Sequence, residues 1–143
     1  MTTVAQVLQN KSNHEISTIT PDASVLDAIT LMATKGIGAV LVVQDSKVVG
    51  ILSERDYTRK IALMQRTSDL TTVAEIMTGK VLSVLPTNTV DECLELMTER
   101  HIRHLPVLDK ENLIGIISIG DLVKAAMEDQ KVLIEQLQQY ISG

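Results

Sequence analysis

The sequence predicts an α/β fold of α+β layout. Two copies of one strand–helix–strand–strand–helix unit are expected to pack with pseudo-twofold symmetry into a single body. Three observations predict it. Thr18–Tyr57 lies over Ser83–Leu122 at a constant offset of 65, without gaps, and ten of the forty positions are identical. Short β-branched runs recur at matched places in both copies, too short for helices. Serine or threonine followed three residues later by an acid precedes each helical stretch, which is how helix N-termini are signalled.

The identities fall at Pro21, Val25, Leu31, Met32, Ile37, Val42, Gly50, Ile51, Ser53 and Asp56, which meet Pro86, Val90, Leu96, Met97, Ile102, Val107, Gly115, Ile116, Ser118 and Asp121. Self-similarity at a fixed period marks a duplicated structural unit. It also reaches upstream, where "VAQVL" (Val4–Leu8) resembles "VAEIM" (Val73–Met77).

Each unit parses in order. A turn at Pro21-Asp22 or Pro86-Thr87 leads into a helix capped by Ser24-x-x-Asp27 or Thr89-x-x-Glu92. Val25, Ile29 and Met32 then stand at helical spacing, as do Val90, Leu94 and Met97. After Gly36 or His101 come "AVLVV" or "LPVL", a polar turn ("QDSK", "DKEN"), and a second run, "VVGIL" or "LIGII". These runs read as strands buried on both faces. A second helix follows Asp56 and Asp121. One unit alone would leave a sheet face uncovered, so the copies should pack together. The boundaries are residues 1–68 for the first repeat (core 16–62), 69–128 for the second (core 81–125) and 129–143 for a C-terminal helical tail. In that tail Leu133, Leu137 and Tyr140 share a stripe, too short to be stable alone.

Composition narrows the function classes. With 143 residues, 45% hydrophobic and 22% charged, the chain is long and apolar enough to bury a core, and disorder is excluded. Trp and Phe are absent, and a net charge of −5 gives no electrostatic footprint for DNA or RNA. The lone Cys93 forbids an intrachain disulfide and suits a reducing compartment. The amphipathic start "MTTVAQVLQNK" is not a signal peptide, and no apolar run nears the roughly 20 residues that cross a bilayer. A cytoplasmic protein without membrane or nucleic-acid partners is expected.

The repeated "GILSERDYTRK" (Gly50–Lys60) and "GIISIGDLVKA" (Gly115–Ala125) each place Ser-x-x-Asp directly after a strand. The pattern has two readings. It is a capping box, or it is a clamp in which the short aspartate grips a vicinal diol such as a ribose. Strand ends that give way to helix N-termini are where ligands settle in α/β sheets and where free N–H groups attract phosphate. The serine can cap and bind together.

The motifs "TPDASVLDAITLMATKGIGAVLVV", "VVGILSERDY", "RHIRHLPVLD" and "LIGIISIGDL" resemble the tandem cystathionine β-synthase (CBS) domain pair, the Bateman module, over roughly residues 4 to 125. The resemblance implies a regulatory, non-catalytic fold that binds adenine nucleotides such as AMP, ADP, ATP or NAD. Carried over by position, it implies one site of Ser53 and Asp56 with Leu85, Ile102, Arg103 and His104. The other takes Ser118 and Asp121 with Thr20, Ile37, Gly38 and Ala39. Aspartate would hold the ribose hydroxyls, serine a phosphate oxygen, and the apolar residues the adenine.

The two sites differ in cations. Arg55, Arg59 and Lys60 surround Asp56, whereas Ile119 and Gly120 precede Asp121 and only Lys124 is close. The first is therefore expected to prefer more phosphate, the second to bind weakly or to hold a nucleoside monophosphate. The first copy also departs from the family, with Leu41 where the second has Pro106 and Gly38-Ala39 where it has Arg103-His104. A homodimer through the module and an unidentified regulated protein are the implied partners.

Rival classes are weaker. No nucleophile–base set has recognisable spacing, there is no Walker loop, and Cys93 sits on an apolar helix face. His101 and His104, with Glu99 before them, could suggest a metal, but no further ligand follows them at a sensible distance. A nucleotide-independent dimerisation or protein-interaction module is the alternative.

Overall fold

The computed structural model describes residues 1–12 and 14–142. Helix α1 (Val4–Asn10) precedes strand β1 (Thr18–Ile19), helix α2 (Val25–Lys35) and the hairpin of β2 (Ala39–Gln44) and β3 (Lys47–Ser53). A one-turn helix α3 (Glu54–Tyr57) then continues as a π turn over Thr58–Ala62. Helix α4 (Val73–Ile76) leads to α5 (Val90–Arg100), the hairpin of β4 (His104–Asp109) and β5 (Asn112–Ser118), and the long α6 (Ile119–Ser142). The helix–strand–strand–helix part of the predicted unit occurs twice, and its leading strand is a strand only in the first copy.

Local chemistry explains the repeated parts. Helices α2 and α5 start where Ser24 and Thr89 accept the Asp27 and Glu92 N–H groups. They stop at Gly36 (φ 66°) and His101 (φ 55°), both left-handed, the usual stop for a helix. Each hairpin turns through two residues with positive φ, Asp45-Ser46 and Lys110-Glu111, whose backbone twist matches that of the strands. Each also shifts register once, between Val42 and Val43 and between Val107 and Leu108.

The chain forms two compact units. One is Ile16–Leu82, and the other joins Met1–Glu15 to Ser83–Gly143. The predicted boundaries at 68 and 128 follow the repeats in sequence, whereas the units in space exchange their leading segments. Helix α1 belongs with the second repeat and α4 with the first. The same hydrogen bonds fix both. Val4 and Ala5 donate to Asn88 O (2.8 Å) and Pro86 O (3.0 Å); Val73 and Ala74 donate to Ala23 O (2.8 Å) and Pro21 O (2.9 Å). Val4 and Val73 are wholly buried, each stabilising its unit by about 1.5–3 kcal/mol.

In the Ile16–Leu82 unit the sheet order is β1-β2-β3, β1 parallel to β2 and β2 antiparallel to β3. Its core is Val25, Ala28, Met32, Val40, Val42, Leu52, Ile61, Val73 and Ile76. The other unit pairs β4 with β5 over Val4, Val7, Val90, Cys93, Met97, Leu105, Val107, Ile117 and Leu122. There the counterpart of β1 shrinks to one bridge, Val84 to Val107. Only β2 and β4 are buried on both faces as the sequence predicts. In β3 and β5 the buried residues alternate, Gly50 and Leu52, then Gly115 and Ile117. The predicted tail at 129–143 is, over 129–142, no separate element but the continuation of α6, with Leu133, Leu137 and Tyr140 exposed along it, and residue 143 lies outside the described residues.

Candidate ligand-binding corners

Each unit has a corner where its last strand passes directly into a helix. In the first, Ser53 ends β3 and its hydroxyl accepts the Asp56 N–H at 3.2 Å. Asp56 Oδ2 answers by accepting the Ser53 N–H (3.0 Å) and the Ser53 hydroxyl (3.1 Å). The capping box is thus complete. The other oxygen, Oδ1, accepts from the Thr78 hydroxyl (3.4 Å) and lies 3.6 Å from Lys60 Nζ. Lys60 also donates to Ile76 O at 2.9 Å, so the docked segment around α4 lines this corner. Gly38 and Ala39 run alongside: Glu54 N–H donates to Gly38 O (3.0 Å), and Ala39 pairs with Ser53.

The second corner repeats the box. Ser118 N–H donates to Asp121 Oδ2 (2.9 Å) and Asp121 N–H to Ser118 Oγ (3.1 Å). Ile119 N–H donates to Arg103 O (2.9 Å), and His104 pairs with Ser118, so Arg103-His104 occupies the place of Gly38-Ala39. The cation differs in origin. Lys11 Nζ stands 3.0 Å from Asp121 Oδ2 and donates to Ile116 O at 3.0 Å. Burial pushes the Asp121 carboxyl up, but the Ser118 N–H and the Lys11 ammonium outweigh it and hold the group below the ordinary aspartate value.

The cap reading of Ser-x-x-Asp is therefore realised in both copies, and both carboxylates remain partly accessible, Asp56 at 15% and Asp121 at 24% of the side chain. Of the other predicted residues, Thr20, Arg55 and Arg59 are exposed in the first-repeat unit, and Ile37 is half-buried there. In the second-repeat unit Leu85 and Arg103 are exposed, while Ile102 and His104 are half-buried. The sequence reading missed Thr78 and Lys11. A signal existed for Lys11: "VAQVLQNK" and "VAEIMTGK" both end in lysine, Lys11 and Lys80. Among the described residues no three metal-ligating side chains cluster, and no helix is long and apolar enough to cross a membrane.

A duplicated α/β unit with a capped carboxylate at each strand-to-helix corner defines the class: a tandem-repeat module whose polar groups converge at two equivalent points. The CBS domain matches residues 4–63 and again 73–128, and the chain belongs to the CBS-domain family as a tandem pair. It is 56% identical to a CBS-domain protein from Burkholderia ambifaria MC40-6 (TM-score 0.87), over 90% of this chain and 96% of that one. It is 36% identical to the CBS domain-containing protein CBSX3, mitochondrial, of Arabidopsis thaliana, over 99% of this chain and 73% of that one. It shares its fold with the CBS domain pair of protein MJ0100, solved with 5-methylthioadenosine and S-adenosyl-L-methionine. There the TM-score is 0.78, the identity 23%, and the cover 90% of this chain and 98% of that one.

Proposed function

We propose that this CBS pair is a regulatory module that senses adenosine-containing ligands at its two Ser-x-x-Asp corners, with AMP, ADP, ATP or NAD as the ligand class. One observation carries the reading. Each corner holds a partly accessible carboxylate whose orientation is already fixed by its serine, and a cation beside it. A preset carboxylate grips vicinal hydroxyls without losing side-chain freedom on binding. The backbone N–H groups that open α6 favour an anionic tail. The methylthioadenosine and S-adenosyl-L-methionine bound by the MJ0100 pair show that this fold holds adenosine compounds in that protein, which supports the class and leaves the particular ligand to experiment.

In this reading Asp56 and Asp121 take the ribose, Ser53 and Ser118 a phosphate oxygen, and Ile37, Gly38, Ala39, Ile102 and His104 contribute to the adenine pockets with Thr20 and Leu85. Arg55, Arg59 and Arg103 serve the phosphates. Occupancy is relayed to an unidentified regulated protein. The exposed stripe of α6 supports a second reading, in which self-association of the module is its task.

Calorimetry with adenosine, AMP, ATP and NAD on the wild type, Asp56→Ala and Asp121→Ala separates the two. Loss of a hydrogen bond to a charged group costs about 1.5–3 kcal/mol, so each variant should weaken its own corner roughly 10- to 100-fold. Unchanged affinity in both variants with the fold intact, or no heat from any of the four ligands, rejects the nucleotide reading and leaves self-association.

A further inference from the structure

Resting on the nucleotide reading, we propose that Lys11 is a specificity-determining residue of the second corner, selecting adenosine ligands that carry an anionic group. Lys124 is the cation the sequence places nearest Asp121. The structure brings in another, from a segment 105 residues before Ile116. Its placement follows from the exchange of leading segments, which seats α1 beside β5 in the second-repeat unit.

A substitution between the copies makes Lys11 necessary. In the first corner the cation is Lys60, four residues after Asp56 on the same helical stretch. The equivalent residue of the second copy is Ala125. Without Lys11 the Asp121 carboxylate would face an incoming phosphate as a bare negative charge. With Lys11 at 3.0 Å the corner is locally neutral.

The remaining valences point the same way. An ammonium has three protons to donate. Among the described residues, Ile116 O and Asp121 Oδ2 take two of the Lys11 protons, leaving one for a ligand anion. Ser118 N–H and Lys11 both converge on Oδ2 of Asp121, which leaves Oδ1 to accept from a sugar hydroxyl. The geometry of Lys11 is also tighter than that of its counterpart: its side chain is 24% exposed against 45% for Lys60, and its ion pair is 3.0 Å against 3.6 Å. A half-buried charge is screened less by salt and solvent. The second corner is therefore anion-selective, which favours the nucleoside monophosphate expected there over weak binding alone.

The test is made in the full chain carrying Asp56→Ala, which weakens the first corner roughly 10- to 100-fold, by calorimetric titration with adenosine and with AMP. In that background AMP should bind about tenfold more tightly than adenosine, the effect of roughly one charge-assisted hydrogen bond. Adding Lys11→Met should bring the ratio close to one, with AMP losing more affinity than adenosine, and Lys11→Arg should keep most of the preference. A ratio unchanged in Lys11→Met overturns the role of Lys11 while leaving the nucleotide reading standing. So does an equal loss for both ligands, which marks Lys11 as only a structural tie. No binding of either ligand with Lys11 intact overturns both.

Discussion

Gly50 and Gly115 are the residues at which each unit admits its leading segment. A Cβ on Gly115 would stand 2.7 Å from Leu8 Cδ2, and one on Gly50 would meet Met77 Sδ and lie 3.1 Å from Thr78 O. Both glycines are identical between copies because the same segment passes over the same strand in each. A methionine tip can swing aside, but Thr78 is pinned by two hydrogen bonds to Ile51, of 3.0 and 2.9 Å. At Gly115 the obstacle is the Leu8 side chain alone. Overpacking of this kind costs about 1–3 kcal/mol, so Gly115→Ala should lose that much stability in urea unfolding. Leu8→Ala should cost less in the Gly115→Ala background than in the wild type, because it removes the clash. Strictly additive costs would show that the two residues do not meet, since contacting pairs are the ones that couple.

At the scale of elements, the helix starts were legible because a cap is a local device. Thr89 and Glu92 form both arms of their box, with Glu92 accepting the Thr89 N–H at 2.9 Å. That bond holds the Glu92 carboxyl below its ordinary value. The apolar face of α5 was legible too, with Val90, Cys93 and Met97 all buried. Burial pushes the Cys93 thiol up to about 11, with the Glu92 charge adding to it. The sign follows directly. Between the unfolded value near 9 and about 11, the unfolded chain ionises while the native chain stays protonated. Stability is therefore fully present below pH 9 and lost as the pH climbs through 11, by up to about 3 kcal/mol. Urea midpoints at pH 8 and 10.5 should fall more steeply in the wild type than in Cys93→Ala. Equal slopes would assign the alkaline loss to other groups. The strand assignment was less complete, since period alone does not tell a strand covered on both faces from one covered on one, and β3 and β5 proved to be the latter.

At the scale of the whole chain, the duplication was legible and the partition was not. "VAQVLQNK" and "VAEIMTGK" carry the same valine and the same lysine, so the sequence does not say which segment completes which copy. The same blindness hid the cation of the second corner, whereas Ser53, Asp56, Ser118 and Asp121 could be read from spacing inside one turn. The partition makes a sharp prediction about fragments. Residues 16–82 keep Thr71 O for the Val25 N–H (2.8 Å), the bonds from Val73 and Ala74 to Ala23 and Pro21, and the buried Val73 and Ile76. Residues 1–68 contain the same repeat but lose all of these, and their α1 arrives without the Pro86 and Asn88 carbonyls that receive it. Losing two fully buried aliphatic side chains removes about 3–6 kcal/mol of burial, which is comparable to the whole stability of a domain of about 60 residues. The fragment 16–82 should give a cooperative urea transition by circular dichroism, and 1–68 should unfold without one. A cooperative 1–68 fragment would mean that α1 can complete the first repeat, and that α4 is not required for the first-repeat unit to fold.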